Sequence, residues 1–264
     1  MTQISIVVPV FNQVHLTRRC FDSLLAGTRI ARELIVINNH STDETAVALN
    51  QYKNKFTEQG WNFVIINNQE NVGFGRACNQ GIRLSQGEYV AVLNNDTWLM
   101  PGWDAVLLRK AQELGVDMIG PHIDESPFDL VRVREKASRF VRKNHGKSSS
   151  DWISILMFFR RESLEKLGVE TGPFDERFFV TYEDADLRTR MDQAGMRYRQ
   201  VADCYIWHFS KGTREHSGLP SDYEQEGLRL FVEKWGFDPR LSESTKRARF
   251  RRRFKKFKTA FGLF

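Results

Sequence analysis

Strand and helix signals alternate through the first third of the chain, and this rhythm constrains the fold more than any other feature. Ile4–Val8, Leu34–Asn38 and Phe63–Ile66 are short apolar, β-rich runs. Each is followed by a stretch with helical spacing: Leu16–Ala26, Asp43–Phe56 and Gly73–Leu84. A fourth run, Tyr89–Leu93, closes the series. Such a series demands right-handed crossovers and gives an α/β fold with a largely parallel sheet flanked by helices. Ligands of such sheets sit beyond the carboxyl ends of the strands. Those ends read Pro9-Val10-Phe11-Asn12, Asn38-Asn39-His40, Asn67-Asn68 and Asn94-Asn95-Asp96, rich in amides and poor in bulk. Chemistry is expected there. Ser41-Thr42-Asp43-Glu44 supplies capping residues and acids suited to the positive end of the second helix.

After a helix at Trp103–Leu114 and a strand near Met118–Gly120, residues 122–150 lose clear periodicity and read as an insertion or long loop. Seven Lys or Arg against Glu135 in residues 132–147 would face an anionic partner or simply keep that loop solvated. Regular structure resumes at Trp152–Phe159, continues through a helix Glu183–Ala194, and ends its strands at Tyr205–Trp207. A length of 264 residues then suits one domain over 1–245, with halves at 1–121 and 122–245, and an appendage at 246–264.

The appendage holds nine Lys or Arg and no acid, so the net charge of +6 is a property of the tail, and residues 1–245 carry a net −3. No apolar run approaches the roughly 18 residues of a membrane span. Met1–Val10 lacks the basic flank and cleavage site of a signal peptide, and Cys20, Cys78 and Cys204 are too few and too scattered for a disulfide framework. The expected location is the cytoplasm.

Three groups of residues could carry chemistry. Asp96 of Asn94-Asn95-Asp96 could hold a divalent cation against a diphosphate, or the segment could be a capped turn before Pro101-Gly102. Glu183, Asp184 and Asp186 stand among aromatic and apolar residues at a helix start, where acids are ordinary but where burial beside like charges can also raise a carboxylate toward general-base range. His208 could be a metal ligand or a strand-end histidine. Gly73-Phe74-Gly75-Arg76-Ala77-Cys78 imitates a dinucleotide fingerprint, but Cys78 replaces the third small residue and the motif follows the third strand rather than the first.

Taken in order, six segments resemble the family-2 glycosyltransferases, inverting enzymes of the GT-A fold that use nucleotide-diphosphate sugars. They are Ser5–Asn12, Ile35–Asp43, Asn71–Asn79, Leu93–Thr97, Glu183–Leu187 and Trp207-His208. The resemblance implies that Pro9, Val10, Phe11 and Asn38 border the base and ribose, with Asn38 standing where an Asp is commonest. It implies further donor contacts from Asn71, Gly73, Asn79, Asn94 and Asn95. Asp96 and His208 correspond to the metal site for Mn²⁺ or Mg²⁺, and Asp184, with Glu183 beside it, to the general base. The implied partners are a nucleotide-diphosphate sugar and a glycan or lipid-linked acceptor in cell-surface glycan assembly, with no nucleic acid. The alternative is a non-catalytic nucleotide-sugar-binding protein of the same fold.

In the tail, Phe250, Phe254, Phe257, Phe261 and Phe264 recur at helical spacing among basic residues, as in helices lying flat on an anionic membrane. The expectation is a peripheral contact with the inner face of a membrane through residues 246–264. A helix packed on the protein's own core and a disordered basic tail are the alternatives.

Overall fold

The computed structural model describes residues 3–152, 154–168, 172–209 and 222–241. The alternating elements form as expected: β1 (Ile4–Val10), α1 (Val14–Gly27), β2 (Glu33–Asn38), α2 (Thr45–Glu58), β3 (Asn62–Asn67), α3 (Phe74–Leu84) and β4 (Tyr89–Leu93). They are followed by β5 (Thr97–Leu99), α4 (Trp103–Leu114), β6 (Met118–Asp124), α5 (Leu130–Asn144), β7 (Ser148–Ser149) and β8 (Leu156–Arg160). The described residues close with α6 (Arg161–Lys166), α7 (Glu183–Gln193), β9 (Tyr198–His208) and α8 (Tyr223–Trp235).

The strands join one mixed sheet in the order β3-β2-β1-β4-β8-β6-β9-β5, with β7 on β9. The first four are mutually parallel, and β8 then runs antiparallel between β4 and β6. Alternation along each strand divides the core into two layers. Ile6 and Val8 of β1, with Leu34 and Val36 of β2, face Phe21, Phe56 and Trp103 of α1, α2 and α4. Val7, Ile35 and Ile37 face Ala77, Ile82, Leu187 and Met191 of α3 and α7. Gly81 lets α3 lie close to the sheet, since a Cβ there would overlap Val7 and Ile37. This is the GT-A architecture that the resemblance implied.

The expected loop at residues 122–150 is a correction: β6 runs on to Asp124 and residues 130–144 form α5. The helix hid because its apolar stripe is thin. Val133 and Ala137 are buried, and Phe140 stacks on His122 at 3.8 Å between ring centroids. The rest of the helix is mostly charged. Its signals were the four- and three-residue spacing of those side chains and Asp129, whose carboxylate accepts from the Val131 and Arg132 amides. Helix α8 was also missed; it buries Phe231 against Phe178 and Phe237 and ends at Gly236 in a left-handed conformation. The tail at 246–264 lies outside the described residues. Among the described residues, no helix is long and apolar enough to cross a membrane. All three cysteines are buried and free.

Candidate active site

The carboxyl ends of the parallel strands open into a cleft of about 710 Å³. Pro9, Val10 and Phe11 line it from the end of β1, and Asn94, Asn95 and Asp96 from the turn after β4. That turn is fixed from below by α1. Asn95 donates to Thr17 Oγ1 at 2.9 Å, and Cys20 Sγ lies 3.6 Å from Thr97 Oγ1. Burial pushes the Cys20 thiol up to about 12, so it stays a neutral packing group.

The antiparallel pairing of β5 with β9 sets Thr97 opposite His208 and so brings together two residues more than a hundred positions apart. His208 Nε2 lies 3.4 Å from Asp96 Oδ2, and Nδ1 lies 2.7 Å from Glu125 Oε1. Burial by itself would lower the imidazole, but the two carboxylates outweigh it and hold His208 above its ordinary value. Glu125, which also lines the cleft, was not anticipated, because the stretch containing it carried no periodic signal.

Asp96 Oδ1 and Asn94 Oδ1 are buried and accept no hydrogen bond among the described residues. Two such oxygens in a cleft that His208 also lines fit a small divalent cation. No group of three His, Cys, Asp or Glu side chains able to hold an ion by themselves occurs among the described residues, so oxygens of a bound ligand would have to complete the shell.

Glu183 and Asp184 reach the same cleft from the first turn of α7. Tyr182, at a left-handed φ of 68°, turns the chain sharply into that helix. Asp184 Oδ1 accepts from the amide of Ala185 at 2.8 Å. Two residues on, Asp186 is fully buried. It accepts from Lys234 Nζ at 2.5 Å, Trp235 Nε1 at 2.9 Å and Arg190 Nε at 2.9 Å, locking α8 onto the turn that carries Asp184. Helix α8 and the turn after it add Glu224, Pro239 and Arg240 to the cleft wall.

The donor-side residues divide. Asn71 lines the cleft, whereas Asn38 does not; it donates to Asn67 Oδ1 at 3.0 Å and accepts from the Ser41 amide, bracing two strand ends. Successive residues at a strand end face opposite ways, and the adjacent Asn39 lines the cleft instead, donating to Asn71 Oδ1 at 2.6 Å. Asn79 is fully buried in α3 and clasps the backbone of Phe174, its Nδ2 donating to the carbonyl and its Oδ1 accepting from the amide. Gly73, at φ 86°, lies under Phe179, where a Cβ would overlap the Phe179 carbonyl, and Gly75 lies against Phe174 and Glu183. The glycines of the false dinucleotide motif therefore admit the chain leading to α7.

The family model described as "Glycosyl transferase family 2" matches residues 5–174. O-antigen biosynthesis protein RfbC of Myxococcus xanthus is 28% identical over 249 residues, covering 84% of this chain and 18% of that protein. The poly(ribitol-phosphate) beta-glucosyltransferase of Bacillus spizizenii is 36% identical over 108 residues, covering 40% of this chain and 16% of that protein. The chain thus spans less than a fifth of the length of either relative. Among solved structures, the mannosyltransferase PcManGT from Pyrobaculum calidifontis, in complex with GDP-Man and Mn²⁺, shares the fold with a TM-score of 0.60 at 21% identity. That match covers 80% of this chain and 58% of the other.

Proposed function

The chain belongs to glycosyl transferase family 2, and from that membership we propose that it moves a sugar from a nucleotide-diphosphate donor to an acceptor hydroxyl with inversion of the anomeric centre. The observation that carries this reading is the cleft itself, where Asp96 and His208 share one space with Glu183 and Asp184. A binding protein has use for the first pair and none for a base.

Pro9, Val10, Phe11, Asn39 and Asn71 are the donor contacts of this reading, with Asn38, Gly73 and Asn79 supporting them from behind. The acceptor hydroxyl, whose pKa lies far above 7, gives its proton to Asp184 as its oxygen attacks the anomeric carbon. The bond to the diphosphate breaks on the other face of the sugar, which a single displacement inverts. Glu183 supports the base from the same helical turn. Asp96 and His208, with Asn94, would hold the cation, Mn²⁺ or Mg²⁺, which when bound supplies positive charge against the leaving diphosphate.

The 1–121 half would then hold the donor and the 122–245 half the base and acceptor. The functions named for the two relatives favour a cell-envelope glycan or glycolipid as acceptor. A hydrolysis screen against nucleotide sugars with Mg²⁺ or Mn²⁺ tests the donor. The anomeric configuration of the product, read by NMR, tests inversion; retention would refute the single displacement.

The tail, residues 246–264, completes the proposal as a peripheral membrane contact at the cytoplasmic leaflet. The full chain should sediment with anionic and not neutral liposomes, and deletion of 246–264 should release it while sparing donor hydrolysis. Equal sedimentation of the shortened chain would remove the tail from the account.

A further inference from the structure

We infer that the exposed face of α5 binds an acceptor glycan carrying spaced anionic groups and guides it to the cleft, an inference that rests on the transferase reading above. The helix buries Val133 and Ala137 and turns its basic residues outward. Arg134, Arg139, Arg142 and Lys143 are not buried and form no ion pair among the described residues. Elsewhere, Arg76, Arg109, Arg177, Arg190, Arg229 and Arg240 each hold a carboxylate. Arg18, Arg19, Arg29, Arg32, Arg161, Arg197 and Arg199 also lack a carboxylate partner among the described residues, but no ten-residue stretch of these residues other than 134–143 holds four such cations.

The ribbon has a direction. Arg134, Arg139 and Lys143 are spaced about 8 and 6 Å along the helix axis at 1.5 Å per residue. Its first turn follows Glu125, which lines the cleft and touches His208, by five residues, and Lys136 holds that connection by bonding to Asp124 at 2.5 Å and to Ser126 at 2.6 Å on either side of Glu125. A chain of anions laid on α5 would therefore reach the site end-on.

A bilayer fits this face less well. Helices that lie on membranes sink apolar side chains into the headgroups. Among the described residues, the exposed large hydrophobic of α5 is Val131, in its first turn. A nucleic acid would find no aromatic platform among these cations for its bases. A hydrated anionic glycan needs neither.

The test uses the full chain and the variant Arg134→Gln, Arg139→Gln, Arg142→Gln, Lys143→Gln. The probes are a carboxylate-bearing hyaluronan oligosaccharide, a phosphodiester-linked ribitol-phosphate oligomer, neutral dextran of equal length, and phosphatidylglycerol vesicles. By the counterion-release slope for single-stranded nucleic acids, an upper bound for these more sparsely charged chains, four neutralised charges make binding up to about fifty-fold weaker between 50 and 200 mM salt. The parent should bind at least one anionic oligomer with that dependence and ignore dextran, and the oligomer bound tells carboxylate from phosphate. The variant should bind that oligomer at least tenfold more weakly, with unchanged melting temperature, vesicle binding and donor hydrolysis. A loss below tenfold, equal binding of dextran, or loss of vesicle binding in place of oligomer binding overturns the inference. Absence of donor hydrolysis from both proteins would instead count against the transferase reading, while the oligomer result would still judge α5.

Discussion

Residues 4–93 and residues 118–241 contribute to one sheet but are held together by different means. In the first, β1, β2 and β3 pair in chain order, β4 returns beside β1, and the core is mainly aliphatic and aromatic, from Ile6 and Val8 to Phe21 and Phe56, with one buried acid, Glu33, that accepts from Ser5 and Asn62. In the second, β8 inserts between β4 and β6, β9 crosses beside β6, and buried charges fasten the helices. Asp186 joins α7 to α8, and Asp124 joins β6 to α5 through Lys136 and to Tyr205. Apolar packing tolerates small changes, whereas a buried charge stripped of its partner does not. On the proposed reading the platform offers the donor contacts, and the ion-bonded half presents the candidate base.

The sharpest way to separate the halves is Asp184→Asn. If chemistry belongs to the second half and donor binding to the first, transfer should fall by 10²–10⁴-fold, the usual worth of a general base, while donor affinity measured by calorimetry changes little. A variant keeping more than about a tenth of the parent rate excludes Asp184 as the base.

Lys234→Met probes the fastening itself. It withdraws the ammonium from Asp186 and Asp175, leaving Asp186 fully buried with Arg190 and Trp235 alone. A broken buried pair costs about 3 kcal/mol, measurable by urea denaturation. Ile35→Val in the first half should cost about 1 kcal/mol, and equal losses would erase the contrast.

The same contrast decides what could be read in advance. Tyr89–Leu93 and Trp103–Leu114 match their elements end to end, because a fully buried apolar run and an amphipathic helical period are both local patterns. Helix α5 escaped because three side chains, Val133, Ala137 and Phe140, carry its packing within a mostly charged sequence. Asp96, His208, Glu183 and Asp184 could be named as candidates from residue type and order, but their meeting depends on the β5–β9 pairing, which no local pattern encodes. Asn38 and Asn39 differ only in which face the strand end gives them, a matter of register rather than composition.

A smaller effect falls where the halves meet at the proposed cation site. Asp96→Ala and His208→Ala should each raise the Mn²⁺ concentration for half-maximal activity about tenfold, with Mn²⁺ at least as effective as Mg²⁺ in the parent, since a mixed carboxylate and imidazole set suits the softer ion. Titration of Mn²⁺ by electron paramagnetic resonance, with a nucleoside diphosphate present, checks binding apart from turnover. Full activity after dialysis against EDTA would remove the cation from the reading.

The smallest effect concerns Asp124, the anchor of α5. Burial raises its carboxyl, but hydrogen bonds from Lys136 and Tyr205 prevail and bring it down to about 2 from an ordinary 3.8. A lowered folded-state value means that the ionised form stabilises the fold above about pH 4, and that this contribution drains away as pH falls through about 2. Asp124→Asn should therefore cost about 1 kcal/mol at pH 6, a modest figure because Lys136 is largely exposed and its pair is screened by solvent. Urea denaturation at stepwise lower pH should show the gap between parent and variant narrowing below pH 4. The cost should also be shared: in a double-mutant cycle, Lys136→Gln should add little once Asp124 is an amide. Full additivity, or a gap independent of pH, would mean that α5 is held by Val133, Ala137 and Phe140 alone, and that its half of the molecule follows the same apolar rule as the first.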